Sequence, residues 1–295
     1  MKLINEFLEY LKVIKHYSEK TIISYEFDIC ELYNYFKSKK IDIINITRKD
    51  TEAYLEFLYS LKIDKNTISR KLSSIRSFYN YLVKEEKVSY NYFNLISNPK
   101  HKISLPNYLK DKDLDKMFEV PDLTTPLGQR NRLILELLYA TGIRVSELVN
   151  IKINEINRYN RTIKVLGKGE KERIVVYGHM CENIMNMYIK DGRCQLLKNK
   201  NNDYLLLNKN GNNLSTRMIR NILDDIMIKS GIRKHVHPHM LRHTFATDML
   251  NNGADIISVK ELLGHENVNT TSIYTHVTNE QIKKVYESCH PRAKE

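Results

Sequence analysis

The sequence has few cysteines and no long hydrophobic run, and each shortage excludes a class of protein. Its 295 residues contain four cysteines, which are scattered and form no CxxC pair. They are Cys30, Cys181, Cys194 and Cys289. A disulfide framework or a zinc knuckle is therefore not expected, and the usage suits a reducing cytoplasm. No apolar stretch reaches 18 residues, so no transmembrane helix is predicted.

The amino-terminal stretch also lacks the features of a secretory signal. Glu6 and Glu9 interrupt the apolar part of MKLINEFLEYLKVIKHYSE. A signal peptide needs an uninterrupted hydrophobic region and a cleavage site of small residues, and both are missing. The sequence has no internal repeat and no low-complexity tract. We therefore expect a cytoplasmic globular protein.

The charge balance is strongly basic. The net charge is +12 and the isoelectric point is near 9.3. Such a balance favours a polyanionic partner such as nucleic acid. Many soluble proteins are basic without binding nucleic acid, so charge alone leaves both interpretations open.

Residues 1–97 are predicted to form a helical domain. Apolar residues recur at helical spacing in four segments, and Thr47 with Asp50 has the spacing of a capping box. The predicted helices run over Asn5–His16, from Ser18 to about Lys39, from Thr47 to about Leu61, and from Asp64 or Asn66 to about Leu82. Four helices of this length can close a small bundle.

The fourth helix has a second, polar face that mixes small hydroxyl residues with Arg and Lys. Such residues suit close approach to a phosphate backbone, although an ordinary solvated face has the same composition. Arg70, Lys71 and Arg76 are the candidate DNA contacts here, and Thr216 and Arg217 are the candidates in the second domain.

A basic segment at residues 98–108 contains Pro99 and Pro106 and has neither the helical nor the strand period of apolar residues, so it is predicted to be a linker. The second domain, 109–295, is predicted to be mainly helical. Its first helices run over Lys110–Phe118, Gly128–Ala140, Cys181–Lys190 and Thr216–Ser230. Two runs with a period of two, Thr162–Leu166 and Arg173–Tyr177, predict a β-hairpin with Lys168 at its tip.

The stretch after Pro238 concentrates residues that bind anions. His239 and Arg242 are three residues apart on a predicted helix, so they share one face. A short helix, Ile257–Leu263, is predicted to end at Gly264, a residue that tolerates the left-handed cap conformation. His265 follows at once, and Tyr274 comes nine residues later. The pattern predicts an anion site with a nucleophile beside it.

Four motifs occur in order along the second domain: TGIRVSEL, GKGEKER, HMLRH and LLGHENVNTTSIYTH. Together they resemble the boxes of the tyrosine recombinases, the integrase family of site-specific recombinases. The resemblance covers nearly the whole chain. It assigns the catalytic positions to Arg144, Lys168, His239, Arg242, His265 and Tyr274. Glu147 matches the acidic residue that accompanies the first arginine.

The resemblance implies a clamp on a DNA phosphodiester. Arg144 and Arg242 would hold the two non-bridging oxygens, because guanidinium is a planar and permanently charged donor. Glu147 would orient Arg144, and His265 would donate a third hydrogen bond to the phosphate.

The resemblance also implies covalent chemistry. Tyr274 would attack phosphorus and leave a 3′-phosphotyrosyl link, with His239 assisting. Lys168 would supply the proton that the leaving 5′-oxygen needs. The link conserves the energy of the diester, so neither ATP nor a metal nor another cofactor is expected.

Within the family the chain is most similar to the Xer chromosome-resolution recombinases, which act in chromosome partition at cell division. An integrase or resolvase of a phage, plasmid or transposon remains open, as do a non-catalytic DNA-binding relative and a solitary type IB topoisomerase. The implied fold is mainly α, with a SAM-like four-helix core-binding domain and an α+β catalytic domain carrying a small antiparallel sheet.

The resemblance also implies the partners. Four protomers, identical or of two kinds, would enclose two double-stranded DNA sites and pass through a Holliday junction, with a second recombinase and a septal DNA translocase as further candidates. The carboxy-terminal tail, Asn279–Cys289, is expected to dock on a neighbouring protomer, and covering its own core is the alternative.

Two other kinds of site, a metal site and a nucleotide site, fit the sequence less well. His239 and His243 have the i, i+4 spacing of zinc ligands, but Arg242 between them is unfavourable for a cation and the motif lacks the glutamate of HExxH peptidases. The Gly-Lys-Gly turn lacks the spacing of a Walker loop and lies between two strands. We therefore expect no metal site and no nucleotide site.

Overall fold

The computed structural model describes residues 1–99, 108–167, 172–232, 236–264 and 279–293. The chain divides into two compact units, Met1–Ser104 and Leu105–Glu295. This division falls within the predicted linker, 98–108. Lys168, His265 and Tyr274 lie outside the described residues.

The first unit is a helical bundle with its own hydrophobic core. Its helices are α1 (Lys2–Val13), α2 (Glu19–Ser38), α3 (Arg48–Ser60) and α4 (Lys65–Lys84), followed by a 3₁₀ turn over Tyr92–Leu95. The predicted capping box is present, because Thr47 accepts from the Asp50 amide and Asp50 accepts from the Thr47 amide. Phe7, Leu72 and Phe78 are fully buried where the helices meet.

The second unit is larger and mixes helices with one small sheet. Its first helices are α5 (Asp111–Glu119), α6 (Pro126–Thr141), α7 (Val145–Leu148), α8 (His179–Lys190) and α9 (Gly192–Leu197). They are followed by α10 (Thr216–Ser230), α11 (Pro238–Asn251), α12 (Ile256–Leu263) and α13 (Asn279–Cys289). The apolar helix α6 is buried along most of its length, with α8, α9 and α11 packed against it.

The sheet has three antiparallel strands in the order β1 (Ile156–Asn157), β2 (Thr162–Leu166) and β3 (Glu172–Val176). The predicted hairpin is present, and its register pairs Leu166 with Glu172. Ile163 and Val165 point into the core, whereas Lys164 and Leu166 alternate outward, as a half-buried strand requires. A 3₁₀ turn, Ile153–Glu155, leads into β1.

The tail helix α13 packs on its own catalytic domain. Tyr286 is 1% exposed and belongs to one buried cluster with Phe245 and Met249 of α11 and Leu262 of α12. In the single chain, therefore, the tail covers its own core, which is the alternative that the sequence left open. Its removal would expose these apolar side chains to water.

The predicted fold class is confirmed: the chain is mainly α, with one small antiparallel sheet. Four short elements were not predicted, namely α9, β1 and the two 3₁₀ turns, because segments of two to six residues are too short to show a period. Within the part of the chain that the structure describes, no helix is both long enough and apolar enough to cross a membrane.

Candidate active site

The first arginine of the site lies between two tight helix ends. Helix α6 ends at Gly142, which adopts the left-handed conformation with φ of +57°. A side chain at Gly142 would collide with Phe245 and Leu263, so both the turn and the packing require glycine. Two residues later Arg144 caps α7, and Glu147 of α7 accepts a hydrogen bond from the Arg144 amide at 2.8 Å.

Glu147 joins the Arg144 turn to the sheet. One carboxylate oxygen, Oε1, accepts from Nη1 of Arg144 at 2.8 Å and from Nη1 of Arg173 on β3. The other, Oε2, accepts from the Arg144 amide and from Nη2 of Arg173 at 2.9 Å. The Glu147 side chain is only 2% exposed, so these four donors fill the acceptor positions of the carboxylate.

The environment of Glu147 keeps it ionised. Burial alone would raise the pKa of this carboxyl. The hydrogen bonds from Arg173 and from the amide and side chain of Arg144, together with the charge of Arg173, outweigh burial and lower the pKa below its usual value. The carboxylate is therefore ionised at neutral pH, and it binds both guanidinium groups.

The second arginine, Arg242, is buried on α11. Its Nη1 donates to the carbonyl of Gly142, and its Nη2 donates to the carbonyl of Leu263 at 2.6 Å. Both carbonyls belong to helix ends, where carbonyl groups have no partner within the helix. Burial, together with the charges of Arg144 and Arg173, lowers the pKa of Arg242 to about 10, and the charge of Glu147 opposes this shift. Arg242 stays charged at neutral pH.

The carboxyl end of α12 completes the described part of the site. Gly264 caps this helix with φ of +64°, and its carbonyl accepts from Nη2 of Arg144 at 3.0 Å. The helix therefore ends between Arg144, Arg242 and Arg173. His265 is the next residue in the sequence and lies outside the described residues.

His239 lies one turn before Arg242 on the same helix, as the spacing predicts, and it is exposed. His237 caps α11 by accepting from the Met240 amide at 3.2 Å, and its ring centre is 6.2 Å from that of His239. No group of three His, Cys, Asp or Glu side chains suited to a metal ion occurs among the residues that the structure describes.

The guanidinium groups of Arg144 and Arg242 are held by a buried carboxylate and by helix ends, and this arrangement can donate to two oxygens of one anion. Guanidinium donors match the geometry of phosphate, and fixed donors need little reorganisation when charge develops on it. The structure brings Arg144, Glu147 and Arg242 together from segments that are about 100 residues apart in the sequence.

Two family models match the chain and together cover both units. The model of the phage integrase family matches residues 107–281, and the phage integrase N-terminal SAM-like domain matches residues 4–86. The chain belongs to the phage integrase family.

Named relatives agree with this membership over nearly the whole length. The recombinase is 44% identical to tyrosine recombinase XerC of Oceanobacillus iheyensis over 98% of this chain and 96% of that protein. It is 42% identical to tyrosine recombinase XerC of Bacillus subtilis over 97% of this chain and 95% of that protein. The chain is therefore an enzyme, a tyrosine site-specific DNA recombinase similar to XerC.

Solved structures share the fold. The XerH recombinase bound to its palindromic difH substrate, in a post-cleavage complex, is 25% identical with a TM-score of 0.71 over 96% of this chain and 84% of that one. The Tn1549 transposon integrase bound to a circular intermediate DNA has a TM-score of 0.73 at 16% identity, over 97% and 98% of the two chains. The second likeness concerns the fold alone.

The candidate DNA contacts of the recombinase fall in different environments. The Arg70 side chain is 47% exposed, donates to Ser24 at 2.8 Å and contacts Asp28. Lys71 is only 6% exposed, and its ammonium is held by Glu31 at 2.9 Å and by Asp28. Lys71 therefore does not belong to the solvated polar face that the helical spacing suggested.

Arg76 is also engaged within the first unit. Its guanidinium donates to the carbonyls of Phe93 and Ile96 and to the side chain of Asn98. Burial lowers the pKa of this guanidinium. In the second unit Thr216 is the first residue of α10, and Arg217 beside it is exposed.

Arg173 joins this cluster through Glu147, although the motifs do not indicate it. It lies five residues after Lys168 in the sequence, in the same motif, where the period of two predicts only a strand. The signal that the sequence offers is that the GKGEKER motif ends in an arginine, which lies at the beginning of the predicted strand. Its pairing with Glu147 depends on tertiary packing, which the motif does not reveal.

Proposed function

We propose that the recombinase resolves chromosome dimers by site-specific recombination, as an Xer-type enzyme of the cytoplasm. The relatives named tyrosine recombinase XerC support this role, because their 40–44% identity extends over nearly the whole chain and includes both domains. The observation that best supports the proposed chemistry is that Arg144, Glu147 and Arg242 lie together near the carboxyl end of α12.

In this proposal the scissile phosphate sits between the two arginines. Arg144 and Arg242 donate to its non-bridging oxygens, where negative charge grows during the reaction. Fixed donors of this kind typically contribute about 3–4 kcal/mol each to the transition state. Glu147 sets the orientation of Arg144, and His265 adds a third donor from the end of α12.

The bond changes balance without a metal or ATP. The Tyr274 oxygen forms a bond to phosphorus, and its proton passes to His239. The bond from phosphorus to the 5′-oxygen breaks, and Lys168 protonates the departing oxygen. A 5′-hydroxyl of a partner strand then attacks the 3′-phosphotyrosyl link and releases Tyr274, with the proton transfers reversed.

We further propose that four protomers assemble on two double-stranded DNA sites and exchange strands through a Holliday junction. Solved structures of fold relatives support such an assembly, since one is a lambda integrase tetramer bound to a Holliday junction. The tail helix would move from its own core to a neighbouring protomer in this assembly. A second recombinase and a septal DNA translocase are the proposed partners.

Direct phosphate contacts are proposed for Arg70, Thr216 and Arg217, whose side chains are at least partly exposed. Lys71 and Arg76 are proposed to hold helix α4 in place and not to contact DNA, because their charged groups bind other parts of the first unit.

A nicked suicide DNA carrying the chromosomal resolution site tests the proposal. Wild-type protein should form a covalent protein–DNA band on a denaturing gel, whereas Tyr274→Phe should form none although it still binds the site. Scrambled DNA is the matched control for the site. A band from Tyr274→Phe, or equal bands on scrambled DNA, would contradict the proposal.

A further inference from the structure

Arg173 contacts two of the segments that carry the catalytic motifs and lies in a third. It belongs to strand β3, five residues after Lys168. Its guanidinium forms a two-pronged pair with Glu147, which also holds Arg144. Its stem packs under Gly264, directly before His265, so closely that a Cβ on Gly264 would stand 2.8 Å from its Cδ.

The pair between Arg173 and Glu147 is well shielded from water. The two side chains are 15% and 2% exposed. Pairs of parallel N–H to oxygen bonds between guanidinium and carboxylate fix orientation as well as distance. Because half of the donors to Glu147 come from Arg173, its loss would leave a buried carboxylate held by the Arg144 turn alone, free to rotate or to take up a proton.

We infer that Arg173 is a positioning residue of the recombinase, which acts through Glu147 to hold Arg144 in place for the scissile phosphate. It does so by donating to both carboxylate oxygens that Arg144 also binds, so that Glu147 links the Arg144 turn to the sheet. This inference rests on the proposed role of Arg144 in binding the phosphate.

The positioning role predicts a defect in chemistry and not in DNA binding. The variants are Arg173→Met, which removes both hydrogen bonds, and Arg173→Lys, which keeps the charge but loses the planar fork. The matched control is Lys164→Met. Lys164 is on the neighbouring strand, is 52% exposed and pairs with Glu172 at 2.8 Å, without contact to Glu147.

The measurement is single-turnover cleavage of the nicked suicide DNA at saturating protein, with DNA affinity and thermal unfolding recorded for each variant. We expect Arg173→Met to cleave about 100-fold more slowly, in the range found when a fixed donor is lost from an oxyanion site. Arg173→Lys should show a smaller loss, and Lys164→Met should cleave like the wild type. DNA affinity should change less than about threefold in all three.

A neutral scissile group separates positioning from a general loss of structure. In a methylphosphonate substrate, a methyl group replaces one charged oxygen, so less depends on the placement of Arg144. The ratio of the cleavage rates of the wild type and Arg173→Met should therefore fall to less than about tenfold on this DNA, because the substrate has lost one of the charged oxygens that the arginines bind. An equal gap on both substrates would overturn the inference, as would wild-type cleavage by Arg173→Met.

A double variant gives an independent test if Arg173→Met folds poorly. Glu147→Gln removes the shared carboxylate, so adding Arg173→Lys to it should slow cleavage little further. Multiplied defects would contradict an action through Glu147. If the wild type itself formed no covalent band, the proposed function and not the role of Arg173 would be at fault.

Discussion

At the residue scale, the site depends on glycine as much as on charge. Gly264 ends α12 at φ of +64° and leaves room for the Arg173 stem, while its carbonyl accepts from Arg144. A methyl group at this position would strain the backbone and would also press on Arg173. The two effects can be separated, because Gly231 caps α10 at φ of +69° with nothing within 4 Å of an added Cβ.

We therefore predict different outcomes for Gly264→Ala and Gly231→Ala. Both should lower the free energy of unfolding by about 1 kcal/mol or more, since alanine is unfavourable at positive φ. Only Gly264→Ala should also slow cleavage of the suicide DNA, by about tenfold or more, since a misplacement of about 1 Å can have a large effect on rate. Thermal unfolding and single-turnover cleavage check this, and equal cleavage by the two variants would contradict it.

At the element scale, the segment after α13 anchors the tail to the catalytic domain. The His290 ring stacks on Tyr286 with centres 4.9 Å apart, and its Nδ1 accepts from the Arg292 amide at 3.1 Å. Arg292 lies over the ring of Phe118 and donates to the buried carboxylate of Glu136 at 2.6 Å. These contacts reach α5 and α6, so the tail is held at both its helix and its end.

Burial lowers the pKa of His290 to about 3, and the charge of Arg292 acts in the same direction. The unfolded chain, with an ordinary histidine pKa near 6.5, binds a proton that the folded chain excludes between these two pKa values. The free energy of unfolding should therefore fall as the pH drops below about 6.5, by about 1.4 kcal/mol per pH unit from this residue.

We predict that His290→Gln removes this part of the pH dependence. Relative to the variant, the wild type should lose about 2 kcal/mol of unfolding free energy between pH 7.5 and pH 5. Urea unfolding at several pH values measures the difference, and the other histidines cancel in the comparison. Parallel pH curves for the wild type and His290→Gln would show that His290 is not buried in the neutral form.

At the scale of the whole molecule, the net charge of +12 is divided between groups that are free to meet DNA and groups that hold the fold. Arg217 is exposed at the beginning of α10. Lys71, by contrast, is 6% exposed and balances the buried carboxylate of Asp28 in the first unit. Only a cation that neutralises a phosphate contributes to the release of counterions on binding.

We accordingly predict that Arg217→Ala lowers the steepness of the salt dependence of DNA affinity by about one unit on a log–log plot. Lys71→Met should leave that slope unchanged and lower the melting temperature instead, because Asp28 loses a partner in the core. Binding titrations over a series of salt concentrations and thermal unfolding measure the two effects. A slope reduced by Lys71→Met and not by Arg217→Ala would reverse the assignment.

The features that could be predicted from the sequence are those that depend on near neighbours in the chain. Helical and strand periods, the Thr47–Asp50 capping box and the glycine cap at Gly264 involve residues at most four apart, so their signals are local. The order of the four motifs is also visible in the sequence, and it indicates the family. These features were predicted with their bounds mostly within a few residues.

Which distant groups come into contact depends on tertiary packing, and the sequence does not show it. Arg173 binds Glu147 across 26 positions, Lys71 turns inward to Asp28 across 43, and α13 covers the core of its own chain. A helical period tells which residues share a face, but it does not tell whether a charged side chain on that face finds a buried partner. The outcome depends on how the elements pack, and it separates the cations that hold the fold or the site together from those available to DNA.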